Sequence, residues 1–209
     1  MEDLKYKIAV SLIPGIGDIS AKKLIAHCGG AEAVFKEKKS KLLKIPGFGE
    51  KVVKSIQSAK VMERAEEEVE FIAKNDIKPL YYLDKEYPQR LLHCEDGPII
   101  LYSKGNVDWN AQKMVSFVGT RMATVKGKAI CEKLIDELKT HNATIVSGLA
   151  YGIDITAHQA ALKAGLPTIG ILACGLDEVY PKPHTQTAEK MLKDGGIATD
   201  YLSKTTILP

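Results

Sequence analysis

The run Ser147-Gly148-Leu149-Ala150-Tyr151-Gly152-Ile153-Asp154 holds the residue types of an anion cradle. It follows an apolar stretch, residues 143–146, and precedes a helical pattern over residues 155–164. In such a strand–turn–helix, glycines let backbone N–H groups approach an oxyanion, and the helix N-terminus adds partial positive charge. The layout occurs twice more. Val115 to Val118 runs into Gly119-Thr120-Arg121, and Thr168 to Leu172 runs into Ala173-Cys174-Gly175-Leu176-Asp177. Three strand ends of one parallel sheet fall on a single edge, where ligands of open α/β sheets bind. The chemistry these residues point to is binding of an anion.

The elements that must hold them follow from periodicity. Strands over residues 114–119, 143–147, 167–174 and 197–201 alternate with helices over 124–141, 155–164 and 185–193. Continuous apolar strands between amphipathic helices predict a parallel, doubly wound, Rossmann-like sheet. Asn142 and Gly165 stand where helices end. The chain closes on Ile207-Leu208-Pro209 after three and a half β-α units, so the sheet is expected to be incomplete, with an apolar edge and face left open.

Ahead of the sheet the sequence repeats itself. Ile13-Pro14-Gly15-Ile16-Gly17 returns as Ile45-Pro46-Gly47-Phe48-Gly49, each copy flanked by short apolar-periodic segments. This pattern resembles the helix-hairpin-helix motif, whose glycines present N–H groups to a DNA phosphate without reading sequence. Two readings stand side by side. The hairpins of Gly15, Gly17, Gly47 and Gly49 either let short helices cross closely, or touch phosphate with help from Lys22, Lys23, Lys51 and Lys54. A helix over 61–75 follows, its Glu66-Glu67-Glu68 run expected on a solvated face. The expected organisation is a small all-α, helix-hairpin-helix/SAM-like domain over 1–75, a connector packed on the sheet over 76–112, and half of a Rossmann-like domain over 113–209.

Composition narrows the field. A chain of 209 residues with 45% hydrophobic content can build a core, and a net charge of +3 is too small to argue for nucleic acid by itself. The four cysteines, Cys28, Cys94, Cys131 and Cys174, show no CxxC spacing, so neither a zinc site nor a disulfide framework is indicated. Cys131 and Cys174 read as small apolar fillers. The N-terminus lacks an apolar signal core, and the expected compartment is the reducing cytoplasm.

The strand-end residues also match a family. Gly119-Thr120-Arg121, Ile145 to Ala150 with Gly152-Ile153-Asp154 and Ala157-His158, then Gly175-Leu176-Asp177 and Tyr180-Pro181, resemble the bacterial DNA-processing protein DprA (Smf) family. Tyr87-Pro88, Leu91, Pro98, Leu101-Tyr102 and Gly105 resemble that family's entry to its Rossmann domain. The resemblance implies a non-catalytic protein of natural transformation. Such a protein binds single-stranded DNA with little sequence preference, protects incoming strands and helps load the RecA recombinase. No cofactor and no metal is implied. The family's phosphate pocket maps onto Arg121 and, after Tyr-Pro, onto Lys182, with Gly119, Thr120, Ser147 and Gly148 around them. Its second half, with the dimer and RecA-contacting surfaces, is not among these residues, so a homodimer is implied only with that half present. Lys126-Gly127 stands where the family has Tyr-Gly, putting a further cation beside the loop, and His184 stands where it has asparagine.

Each assignment has a plain counterpart. Arg121 can pair with Asp154 or Asp177, Lys182 can be a solvated lysine, and Ser147-Gly148 can be only a tight turn. Asp154 reads as a brace for that turn, His158 as a satisfied buried histidine, and Tyr151 as either a base-stacking ring or an ordinary loop aromatic. Two other functions compete. One is a nucleotide-binding enzyme related to the phosphoribohydrolases, although their Pro-Gly-Gly-x-x-Thr-x-x-Glu segment does not occur here. The other is an interaction module with a vestigial pocket. Salt-sensitive DNA binding without nucleotide hydrolysis separates the first reading from both.

Overall fold

The structure, a computed structural model, describes residues 2–56 and 58–205. Ile207, Leu208 and Pro209, on which the expectation of an incomplete sheet partly rested, lie outside the described residues. The chain divides into two compact units, Met1–Leu101 and Tyr102–Pro209. One six-stranded sheet has the order β1-β2-β6-β5-β4-β3, its strands numbered along the chain.

The first unit begins with helices α1 (Glu2–Ser11), α2 (Asp18–Cys28), α3 (Ala31–Lys36), α4 (Lys39–Leu42), α5 (Glu50–Ile56) and α6 (Ala59–Lys74). Their buried residues include Ile8, Leu24, Val34, Leu42, Val53 and Ala65. The two repeated segments form matching turns. Ile16 N–H donates to Ile13 at 3.1 Å and Phe48 N–H to Ile45 at 3.1 Å. Proline at the second turn position and glycine with positive φ at the third, +83° at Gly15 and +91° at Gly47, are what such a turn requires. The acidic run of α6 is solvated at Glu66 and Glu67, as expected, but not at Glu68. Glu66 meets Lys5 at 3.1 Å, while Glu68 is buried and accepts a hydrogen bond from Arg64 at 2.8 Å. Strand β1 (Lys78–Tyr81) and the short helix α7 (Gln89–Leu92) complete this unit, up to the start of β2 (Ile100–Gly105). Buried Tyr87 donates its hydroxyl to the Pro98 carbonyl at 2.5 Å.

In the second unit the chain runs β3 (Met114–Ser116), α8 (Val125–Leu138), β4 (Thr144–Ser147), α9 (Ile153–Ala164), β5 (Thr168–Ile171), α10 (Thr185–Met191) and β6 (Gly196–Thr199). The expected parallel pairing holds: Val115 lies beside Ile145, Ile145 beside Thr168, and Ile169 beside Gly196. Two features differ. Strand β2 runs antiparallel to β6, with Tyr102 beside Thr199, so the segment read as a packed connector contributes a strand and the sheet is mixed. The helices also share one face rather than being doubly wound. Cys131 and Ile135 of α8 pack with Ala157 and Ala161 of α9 over Ile145, and Ala188 and Met191 of α10 pack over Ile197. Each crossover steps to the adjacent strand in the same direction, and right-handed connections then place every helix on the same side. Strand β3 ends the sheet, and near it Val118, Met122 and Val125 are almost fully exposed.

Candidate nucleic-acid interface

Because β3, β4 and β5 are parallel neighbours, the segments that leave them meet. Arg121, Gly148, Ala150, Tyr151, Ala173, Cys174, Tyr180 and Pro181 line a cavity of about 160 Å³. Arg121 is the one charged side chain in this lining, and no carboxylate stands there. Two half-exposed rings, Tyr151 and Tyr180, complete it. A guanidinium facing no acid can offer its forked donors to an oxyanion. The volume is well under the ~300–1,000 Å³ of sites that enclose a whole small molecule, so it suits one anionic group.

The loops interlock through side chains and backbone together. Ser147 Oγ donates to the Phe117 carbonyl at 2.7 Å, and Ile153 N–H donates to the Thr120 carbonyl at 3.2 Å. Gly152 has φ +80°, and a Cβ there would overlap the Thr120 carbonyl oxygen. A Cβ at Gly119 would stand 2.5 Å from the Ile153 side chain. These glycines therefore serve close packing of one loop on the next. Asp154 is buried and accepts the Gly148 N–H at 3.2 Å, bracing the turn as its position suggested.

Below the turn sits His158, fully buried. Thr168 Oγ1 donates to the Ile145 carbonyl at 3.1 Å and so must accept from His158 Nδ1–H at 2.7 Å. That leaves Nε2 unprotonated and without a hydrogen-bond partner among the described residues. Burial lowers the His158 pKa to about 4; the Ser147 backbone opposes the shift, and His184 adds to it. His158 is thus a neutral structural residue with no access to a reacting group. Cys174, also buried, has its thiol pKa pushed up by burial and then by Glu178 and Asp177, which keeps it uncharged beside the cavity.

The sequence-derived residues do not all converge. Arg121 and Gly148 share the cavity, and none of the ion pairs among the described residues involves Arg121, so the proposed pairing with Asp154 or Asp177 is not formed. Gly119 and Thr120 support the Arg121 loop from behind, with Thr120 Oγ1 accepting the Met122 N–H at 3.1 Å. The Ser147 hydroxyl and Gly148 N–H are already committed to Phe117 and Asp154, so neither is a free donor. Lys182 lines a different groove, of about 470 Å³, with Lys104, Asp177, Glu178 and Glu189. Lys126 is exposed on the first turn of α8, where Thr124 Oγ1 caps the helix by accepting the Gly127 N–H at 3.1 Å. Gly15, Gly17, Gly47 and Gly49 belong to the other unit.

Sequence reasoning underrated His184. It is buried, donates Nδ1–H to the Leu149 carbonyl at 2.6 Å, and meets the Tyr151 ring edge-on at 4.9 Å. Leu149 has φ +65°, so this contact fixes a turn that its own side chain disfavours. A histidine three residues beyond Tyr-Pro was its only signal. Among the described residues no group of histidine, cysteine and carboxylate side chains could hold a metal ion, and no helix is long and apolar enough to cross a membrane.

Known proteins share this fold. A family model described as DNA recombination-mediator protein A matches residues 78–209. Protein Smf of Synechocystis is 31% identical over 203 residues, covering 94% of this chain and 50% of its own length. DNA processing protein DprA of Streptococcus pneumoniae is 39% identical over 119 residues, covering 57% of this chain and 42% of its own length. The chain thus spans about half the length of the curated relatives it matches. The crystal structure of the pneumococcal protein superposes over 98% of this chain and 70% of that one, with a TM-score of 0.71 and 26% identity. A second solved relative, DNA processing protein A of Helicobacter pylori, is described by its single-stranded DNA binding mode; it gives a TM-score of 0.54 at 28% identity, over 63% of this chain and 59% of its own. With the family model covering most of its length and the strand-end residues gathered at one cavity, the chain belongs to the DNA recombination-mediator protein A family, the DprA (Smf) proteins.

Proposed function

We propose that this chain is a non-catalytic, single-stranded-DNA-binding part of a DNA-processing protein of natural transformation. The observation that carries the reading is the cavity of about 160 Å³ in which Arg121 is the sole charged lining residue, flanked by Tyr151 and Tyr180. Arg121 holds one backbone phosphate. Gly119, Thr120, Ser147 and Gly148 shape the loops that aim it, and bases pass over the rings largely unread. Lys182 supplies a second cation from the neighbouring groove, where neighbouring strand phosphates would run. Lys126 and the hairpin of Gly47 and Gly49 are secondary contacts, while the hairpin of Gly15 and Gly17 serves the close crossing of short helices. A flexible single strand can bend its phosphates to this site, whereas duplex DNA is too stiff. Protection of strands, RecA loading and a homodimer built with a further half are the family roles this reading extends to the whole protein. The site's small volume favours this over a nucleotide-processing enzyme.

Fluorescence anisotropy with a labelled dT oligonucleotide tests it. Arg121→Ala removes a hydrogen bond to a charged group, worth about 1.5–3 kcal/mol, so affinity should fall about 10- to 150-fold. Unchanged binding by a folded Arg121→Ala protein would refute the pocket assignment. A nucleotide-hydrolysis signal that disappears with Arg121→Ala would favour the enzyme.

A further inference from the structure

The two hairpin repeats are an internal comparison: the same segment folded twice, in two electrostatic settings. In the first copy Asp18 and Lys22 are engaged by protein, while Lys23 is exposed and enters none of the ion pairs among the described residues. Asp18 Oδ1 accepts the Ile99 N–H at 2.8 Å, and Lys22 Nζ donates to the Glu95 carbonyl at 3.1 Å and lies 5.9 Å from the centre of the Tyr82 ring. That hairpin is the seat of the segment leading into β2.

Thirty-two residues on, at the matching positions, Glu50 and Lys54 are both exposed and have no such partners. Lys38, Lys39, Lys44 and Lys51 are exposed as well. None of the ion pairs among the described residues engages Lys38, Lys39, Lys44, Lys51 or Lys54, while Lys41 is paired with Glu37 at 3.3 Å. Glu50 is the one unpaired acid within this stretch, against five unpaired lysines.

Burial of the neighbouring apolar residues accounts for the exposure of these lysines. Leu42, Ile45, Phe48, Val53 and Ile56 turn inward, which leaves Lys44, the Pro46-Gly47 tip, Lys51 and Lys54 outside. Lys51 and Lys54 are three apart on α5 and so adjacent on its surface. Positions Gly47 and Gly49 face open space, with nothing within 4 Å of an added Cβ, so an extended ligand can approach the backbone.

We propose that this second hairpin surface is a phosphate-backbone contact of its own, carried by Lys44, Lys51 and Lys54 with Lys38 and Lys39 beside them, and that the first hairpin is purely structural. The partner is nucleic acid: several unpaired, exposed cations suit a regularly spaced polyanion rather than a folded protein. The inference rests on the DNA-binding reading for its choice of partner, but its site lies in the other unit and is tested separately.

The whole chain is titrated into labelled dT oligonucleotide across a salt series, as the wild type, Arg121→Ala, the triple variant Lys44→Gln/Lys51→Gln/Lys54→Gln, and the two combined. Lys23→Gln, on the first repeat, is the control. Each phosphate contact on a single strand contributes about 0.7 to the slope of log K against log salt, so the triple variant should lower that slope by about two. It should do so with or without Arg121, while Lys23→Gln changes nothing. A triple variant with the wild-type slope in both backgrounds overturns the inference and leaves the Arg121 pocket untouched. Loss of binding by the triple variant with none for Arg121→Ala supports the inference and overturns the pocket. Equal competition by polyglutamate for the lysine surface overturns nucleic acid as its partner.

Discussion

Buried His158 makes the stability of the sheet edge under the cavity depend on pH in a defined window. Its ring is fully buried on α9, Nδ1–H is held by Thr168, and Nε2 has no partner among the described residues. Burial lowers its pKa from 6.5 to about 4. The unfolded chain therefore binds a proton between those values while the folded chain does not. Stability from the neutral ring is fully present above pH 6.5 and is lost as pH falls toward 4. At 1.36 kcal/mol per pKa unit, the loss from this one residue is about 3 kcal/mol. The assay is urea unfolding between pH 7 and pH 4 for the wild type and for His158→Leu. The leucine variant starts less stable, because Thr168 loses the ring that donates to it, but its curve should be flatter than the wild type's by about 3 kcal/mol across the window. Carboxylates titrate alike in both proteins, so the difference isolates the histidine. Parallel curves, or a proton NMR titration that places His158 at 6 or above, would refute the reasoning.

Two further predictions concern the cavity. Asp154→Ala leaves the Gly148 N–H without its carboxylate and should lower stability by about 1.5–3 kcal/mol in a thermal melt, without weakening oligonucleotide binding by the folded fraction. Lost binding with unchanged stability would mean that Asp154 meets the ligand itself. Tyr151→Ala should weaken an oligonucleotide by about 1–3 kcal/mol if its half-exposed ring stacks on a base, and an abasic strand of the same length not at all, as read by anisotropy.

Much of the second unit was legible because its rules are local. Val115, Ile145 and Ile169 sit in short apolar runs, Asn142 and Gly165 end helices in the left-handed region, and Thr124 caps α8. Periodicity sees such features directly. The antiparallel place of β2 was not visible, since Ile100 to Tyr102 is an apolar run of the kind any buried segment shows, and its partner β6 lies more than ninety residues away. Glu68 was misjudged for the opposite reason. Three consecutive glutamates look alike in sequence, yet a helix turns them onto different faces, and one of them lies inward beside Arg64. Arg121 could be placed at a strand end from its neighbours, but whether an acid would neutralise it depended on side-chain directions that sequence does not contain.

The glycine-rich turn shows why the arginine matters more than the motif around it. A strand–turn–helix of this kind suggests that backbone amides do the anion binding, as they do in nucleotide-binding loops. Here the Gly148 amide already has an anion, the Asp154 carboxylate of its own helix, and the Ser147 hydroxyl already has an acceptor. Gly152 and Gly119 are needed because Thr120 and Ile153 press against them. The loop has thus satisfied itself internally, and this rigidity fixes where Arg121 stands. The cavity then offers one guanidinium and two tyrosine rings, with the uncharged Cys174 thiol among its lining. Under the proposed reading, affinity depends on the number of phosphates engaged, which is the quantity that salt dependence reads.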